Sequence, residues 1–158
     1  MSKIEFNRIW AMPNKRTFTI KPIKELIETN RNLLESIYKN IVEIDPFPCP
    51  YKEDALKYLE RYADESVDFA LFDPPYSPRQ LKECYDNLGM SLHDTKCSVW
   101  SNWKDEATRV IKPGGLCISF GWSSQGMGKN RGFEIKEILL VPHGGNHNDT
   151  ICVVEIKK

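Results

Sequence analysis

Val67-Asp68-Phe69-Ala70-Leu71-Phe72-Asp73-Pro74-Pro75-Tyr76-Ser77-Pro78-Arg79 is the stretch whose reading decides the fold. It opens with a nearly continuous apolar run, which suits a strand buried on both faces of a parallel sheet better than strict alternation would. The run stops at Asp73. Two prolines follow; neither can donate a backbone hydrogen bond, and each drives the residue before it out of the helical region. The chain therefore leaves the sheet extended and stiff. Asp73 and Tyr76 are held on a rim at the carboxyl end of a strand, where open α/β sheets bind their ligands. A sturdy strand exit with no chemistry is the competing reading of Asp73, Pro74, Pro75 and Tyr76.

Downstream, Ser77 to Leu88 carries an amphipathic helical pattern with Leu81, Cys84, Tyr85 and Leu88 inward, and Gly89 supplies a stop. Residues 90 to 98 are polar, with His93 and Asp94 read as solvated. Ser101 is the expected cap of a helix reaching Ile111, with Trp103, Ala107, Val110 and Ile111 toward a core and Trp100 packing beside the cap as a staple. After the turn Lys112-Pro113-Gly114-Gly115 comes an apolar strand, Leu116 to Trp122, and then a Gly/Ser-rich loop, Gly121 to Gly132. That loop fails the Walker pattern, because Asn130 stands where Ser or Thr should be. It reads as a surface connection, with contact of Lys129 and Arg131 to nucleic-acid phosphates as the functional alternative. Two further strands, Phe133 to Val141 and Thr150 to Ile156, form a closing hairpin. His143, His147 and Asp149 lie in the turn between them, where no helix fixes a ligand spacing; no metal site is expected.

Upstream, residues 1 to 20 read as an irregular or edge-strand arm in which Phe18 and Ile20 alternate with Thr17 and Thr19. A strong helix starts at Pro22, suited to the first turn. Its stripe is Ile23, Leu26, Ile27, Leu34, Ile37, Tyr38 and Ile41. Ile41 to Phe47 then reads as a strand running into Asp45-Pro46-Phe47, followed by Pro48-Cys49-Pro50-Tyr51 and a helix from Lys52 to Tyr62. No glycine precedes Gly89, so a glycine-rich turn cannot exist at this end of the chain. Only residues 48 to 66 separate Phe47 from Val67, fewer than the ~30 that a β-α-β connection takes.

Asp73-Pro74-Pro75-Tyr76 after a buried strand, with Lys112-Pro113-Gly114-Gly115 before the next, resembles the amino-methylating DNA methyltransferases, especially small phage-type adenine-N6 enzymes that use S-adenosylmethionine. The resemblance covers most of the chain. It implies a reduced Rossmann-like α/β sandwich: a mostly parallel sheet ending in an antiparallel hairpin, with helices on both faces. It also implies that the Asp73 carboxylate and the Pro74 carbonyl accept the hydrogens of adenine N6, and that Tyr76 stacks on a base turned out of the duplex. Thr19 to Ile27 resembles the family's Lys-Pro helix start, so Lys21 and Pro22 fall near the cofactor's methionine end, while Asp45 and Phe47 match its cofactor wall. There the pattern breaks. The family's closely spaced glycines are replaced by Pro48 and Pro50, and the helix and strand that carry the ribose-binding acid have no room. The expectation is therefore weak or absent binding of S-adenosylmethionine by the isolated chain, and a sheet edge that an arm, a helix, a second copy or a partner protein must cover.

Composition bounds the rest. One domain over residues 1–158 is expected at this length. The 22 basic and 22 acidic side chains balance, so net charge argues neither for nor against nucleic acid. The charge is segregated: Lys3, Arg8, Lys15, Arg16, Lys21 and Lys24 face only Glu5 in the first 24 residues. The five cysteines are scattered, which excludes a disulfide scaffold, and Cys117 and Cys152 read as core residues. No apolar run approaches the ~20 residues of a membrane span, and a cytoplasmic protein is expected. Three readings stay open: an adenine-N6 methyltransferase acting on DNA, a non-catalytic relative that binds DNA or a partner protein (a phage-encoded modulator, for example), and a purely structural domain.

Overall fold

The computed structural model describes residues 3–47, 53–87, 89 and 98–158. Six strands form one sheet: β1 (Glu5–Arg8), β2 (Glu43–Ile44), β3 (Val67–Phe72), β4 (Ile111–Gly121), β5 (Phe133–Val141) and β6 (Thr150–Lys157). Their order is β1-β5-β6-β4-β3-β2. β6 is antiparallel to both its neighbours, and the other three pairings are parallel, so five strands run one way. This is the mostly parallel α/β sheet with a terminal antiparallel hairpin that the sequence predicts.

Every residue of β3 is buried, as its continuous apolar character requires. Phe69 and Leu71 face α1 (Lys21–Ile37), whose Ile23, Leu26, Ile27 and Leu34 bury on that side. Ala70 and Phe72 face the opposite layer, built from α2 (Ala55–Leu59), α3 (Pro78–Asn87) and α4 (Ser98–Val110) around Trp103. Helices thus lie on both faces.

The Lys112 to Gly115 turn is absorbed into β4 as an irregularity. Val67 pairs with Ile111 and Phe69 with Leu116, so five steps on β4 answer two on β3. Gly114 takes φ +82, and a Cβ on Gly115 would meet Ile111 and the Lys112 carbonyl at 2.9 Å. The looped-out Lys112 sets its ammonium on buried Asp68, whose other carboxylate oxygen accepts from Val42 N at 2.8 Å. One acid therefore locks the entry to β2, the start of β3 and the start of β4 together.

Several boundaries differ from expectation. The arm's strand is Glu5–Arg8, while Thr17–Thr19 forms a 3-10 turn closed by Thr19 N and Thr19 Oγ1 on the Arg16 carbonyl. The alternation at 17–20 is overruled because the turn must deliver Pro22 to the start of α1. Ile37, expected inward, is 63% exposed at the last position of α1. α2 is shorter than predicted: Asp54 caps it by accepting from Leu56 N at 2.8 Å, and its other oxygen accepts from Tyr85 Oη at 2.6 Å. α4 begins three residues before Ser101, which is helix interior; Trp100 is helical too and not a staple outside the cap. The Pro48-Cys49-Pro50-Tyr51 segment, Lys52, Leu88, His93, Asp94 and Cys97 lie outside the described residues.

Beyond β2 no further strand occurs among the described residues, in keeping with the short connection before Val67. The arm does not cover that edge. It runs along β5, at the opposite side of the sheet, with Ile9 N on the Leu140 carbonyl and Ala11 N on the Pro142 carbonyl. Buried His143 pins it there, with Nδ1 2.8 Å from the Ala11 carbonyl and Nε2 2.8 Å from Thr150 Oγ1.

Candidate active site

Because β2, β3 and β4 are parallel, their carboxyl ends share one rim. β2 ends before Asp45, β3 before Asp73, and β4 at Gly121. Stiffened by its two prolines, the chain after Phe72 bends so that Tyr76 returns toward Asp73, and the phenol donates to Asp73 Oδ1 at 2.5 Å. Two contacts hold the bend. Gln80 Oε1 accepts from Tyr76 N at 2.8 Å, and Trp100 Nε1 donates to the Pro75 carbonyl at 2.9 Å. The latter ties the rim to α4. Pro75 cannot donate, but its carbonyl still accepts.

Asp73 is half-buried, and burial pushes its carboxyl up to about 6; hydrogen bonds from Tyr76 and Thr17 oppose that shift. Asp45 is pushed up to about 7, first by burial and then by the neighbouring charges of Asp73 and Glu43, against a hydrogen bond from Phe47 N. Burial and Asp73 hold Tyr76 well above its ordinary value, so the phenol stays protonated and a donor. The rim therefore presents two adjacent carboxyls, and the one on β3 is capped by its own tyrosine.

On the other side of the Asp73 to Tyr76 bend opens a cleft of about 220 Å³. Pro74, Pro75, Tyr76, Trp100, Lys104 and Trp122 are among its walls. The Tyr76 and Trp122 rings meet edge to face, with centroids 5.7 Å apart, and Trp122 is 44% exposed. Ser119, Ser123 and Gln125 supply polar groups. Lys104 reaches across to the Gly126 carbonyl at 2.6 Å, and burial lowers its ammonium below the usual lysine range. A cleft this size is below the ~300–1,000 Å³ typical of small-molecule pockets, so it suits one aromatic ring system and not a whole nucleoside cofactor. Asp73 and Asp45 are not among its walls.

Among the described residues, those matched to a cofactor wall are not brought together around one cavity. Phe47 turns inward and packs on Phe72 and Trp103, with centroid distances of 4.9 and 5.0 Å. Lys21 is exposed and Pro22 buried at the start of α1. Asp45 stands beside the last strand of the sheet, with no following strand among the described residues to carry an acceptor for a ribose. The described residues thus do not fit S-adenosylmethionine as a self-contained site.

Lys129 and Arg131 do not join the Asp73 to Tyr76 rim. The loop leaves β4 at the Asp73 end, but β5 is parallel to β4. The chain must therefore travel back along the sheet to start β5, where Gly132 O accepts from Lys158 N. Lys129 is exposed at that far end. Arg131 is committed to the fold, through Asp105 at 2.7 Å, Ser101 Oγ at 2.9 Å and the Met127 carbonyl at 3.2 Å. The anion that the glycines surround belongs to the chain itself: fully buried Glu155 accepts from Met127 N at 2.6 Å and Gly128 N at 3.1 Å. Gly126 takes φ +57, and a Cβ there would sit 2.3 Å from that carboxylate.

Trp100, Lys104, Trp122 and Thr17 are the site residues that sequence reading missed. Only Trp122 carried a signal, being the last residue of a predicted strand on the rim side.

A parallel α/β sheet with an acid-proline-proline-tyrosine rim at its carboxyl edge describes the class of molecule. No protein-family profile matches the chain. It is similar in sequence to the type II methyltransferase M.BamHI of Bacillus amyloliquefaciens, with 28% identity over 102 residues, 60% of this chain and 23% of that protein. The chain thus spans less than a quarter of the length of that relative. Among solved structures it aligns with TTHA0409 of Thermus thermophilus, a protein provisionally described as a DNA modification methylase. The TM-score is 0.44 at 13% identity, covering 75% of this chain and 53% of that one. PH0851 aligns at a TM-score of 0.40 and 15% identity, over 98% and 42%.

Proposed function

We propose that this chain carries the target-base half of an S-adenosylmethionine-dependent DNA adenine-N6 methyltransferase. Its own contribution is to hold an unstacked adenine at the Tyr76 rim. The cleft between Tyr76 and Trp122 carries this reading. Its ring-sized volume and aromatic walls suit a base removed from its stack, which proteins grip by aromatic stacking with polar contacts to its edge. The sequence similarity to a type II methyltransferase supports the same direction. Ser119, Ser123 and Gln125 are the groups positioned to read the edge of the ring, and the Trp100 bond to Pro75 keeps the wall in place.

Methyl transfer by the chain alone is not part of this reading, because the described residues lack a complete cofactor pocket. A non-catalytic relative that only binds DNA is the second reading, favoured by the inward turn of Phe47. The fluorescence of Trp100 and Trp122 tests the base site directly. Single-stranded oligonucleotides should quench it, and replacing the adenines by abasic sites should abolish the quench while phosphate binding persists. Equal quenching by abasic and adenine-containing strands overturns the proposal. Label transfer from S-adenosylmethionine to adenine, with and without added partner fractions, separates enzyme from binding module.

A further inference from the structure

Among the described residues no strand pairs with the outer side of β1, and the chemistry of that edge is suited to a copy of itself. In the arm, the N–H groups of Ile9 and Ala11 point inward to β5. Because the backbone alternates, those of Phe6, Arg8 and Trp10 point outward, along with their carbonyls. Of the usual protections β1 has its shortness, four residues, and the charges of Glu5 and Arg8, but neither a proline nor, since it pairs with β5 in unbroken register, a bulge. Its exposed apolar side chains are large: Ile4 is 46% exposed, Phe6 61% and Trp10 60%. They continue an open sheet face, because Phe6 stands beside Ile138 and Arg8 beside Leu140, both half-buried and on the side away from α1.

We propose that the β1 edge pairs antiparallel with β1 of a second copy about a two-fold axis, with Asn7 opposite Asn7. The register follows from the residues. Two-fold pairing on one sheet face demands partners of the same parity, and outward-pointing residues must exchange the hydrogen bonds. With Asn7 on the axis, Ile4 lies opposite the partner's Trp10 and Phe6 opposite the partner's Arg8. Glu5 lies opposite the partner's Ile9 and Lys3 opposite the partner's Ala11. No like charges face each other, each large exposed side chain from Ile4 to Trp10 gains a cross-strand partner, and a guanidinium sits over each Phe6 ring. Shifting the register by two, to put Phe6 opposite Phe6, takes Trp10 out of the overlap of the described strands, and with it the Ile4 to Trp10 contact. The result is a continuous twelve-stranded sheet made of two six-stranded ones. Such an isologous contact is the commonest form of protein self-association.

Light scattering on the purified chain should give twice the 18.3 kDa chain mass at tens of micromolar. Arg8→Pro removes only an outward N–H and leaves the bonds to β5, so it should keep the circular dichroism spectrum and weaken dimerisation at least about tenfold. Asn7→Cys gives a readout independent of that variant's folding. Facing non-hydrogen-bonded residues have Cα atoms about 4.5 Å apart, within disulfide range, so mild oxidation should link the chains, whereas Phe6→Cys should not. A monomeric parent chain overturns the proposal, whether the edge stays bare or takes a strand from another protein. So does a dimer in which Asn7→Cys fails to cross-link. Neither outcome bears on the base site at Tyr76.

Discussion

The Tyr76 hydroxyl donates to Asp73 Oδ1 at 2.5 Å, so the two side chains that the sequence puts on one rim are bound to each other. This contact divides their work. Asp73 is turned away from the cleft and toward Thr17 and Asp45, while the ring of Tyr76 forms a cleft wall. A base resting on Tyr76 would reach the Asp73 carboxylate only if the phenol gave it up.

Substitutions at the pair should separate these roles. Tyr76→Phe keeps the ring and loses the donor, so base binding persists while the Asp73 carboxyl rises further above about 6; carbon NMR of the carboxyl follows it. Tyr76→Ala should cost about 1–3 kcal/mol of base binding, read by oligonucleotide titration. Asp73→Asn should fold normally, since it removes a half-buried charge from a strand exit. An Asp73 titration unmoved in Tyr76→Phe would show that the short contact is absent in solution.

Stability should fall as pH rises from about 4 to 7. The folded-state values of Asp45 (about 7) and Asp73 (about 6) both exceed the ordinary 3.8. In that window the folded chain holds protons that the unfolded chain has released, so the stabilisation is full below the unfolded value and lost as pH climbs through the folded ones. Glu137 and Glu155 are also shifted upward by burial and act in the same sense. Asp45→Asn should raise stability at pH 8 by about 1–2 kcal/mol and flatten the profile in urea melts. A parent chain more stable at pH 8 than at pH 5 would contradict the assignment.

Cofactor titration should show little heat. Among the described residues there is no strand beyond β2, and Phe47 packs on Phe72 and Trp103, so these residues do not supply the acceptor and wall that hold a nucleoside cofactor. Each missing charged hydrogen bond is worth ~1.5–3 kcal/mol, so dissociation constants should fall in the millimolar range. Stoichiometric binding of S-adenosylmethionine below about 10 μM, with or without an adenine-containing duplex, would restore a complete site.

Arg131→Ala should destabilise the chain by about 1–2 kcal/mol, mainly through its lost bonds to Ser101 and the Met127 carbonyl, because its exposed ion pair with Asp105 is worth little. Lys129→Ala should leave stability unchanged. The double variant should bind DNA with an unaltered salt dependence, since both residues sit at the sheet end away from Tyr76. A shallower salt slope would place that end against phosphates.

What the sequence by itself determined are the features governed within a few residues. Prolines 74 and 75 dictate where β3 ends and stiffen the rim. The stripe from Ile23 to Leu34 dictates α1, and Gly114 and Gly115 dictate the kink into β4. Residues 48 to 66 are too few for a full β-α-β connection before β3. These follow from covalent geometry and periodicity, which act locally. The tertiary structure alone decided matters that depend on distant partners. It chose the edge on which the arm lies, because Ala11 meets His143 across 132 positions of sequence. It turned Phe47 into the core, where Phe72 and Trp103 offered a drier surface than the rim. It spent the glycine loop on Glu155 and drew Arg131 back to α4, because a parallel β4 and β5 force that loop to cross the length of the sheet. A local pattern has no access to where a long side chain or a loop amide finds its partner.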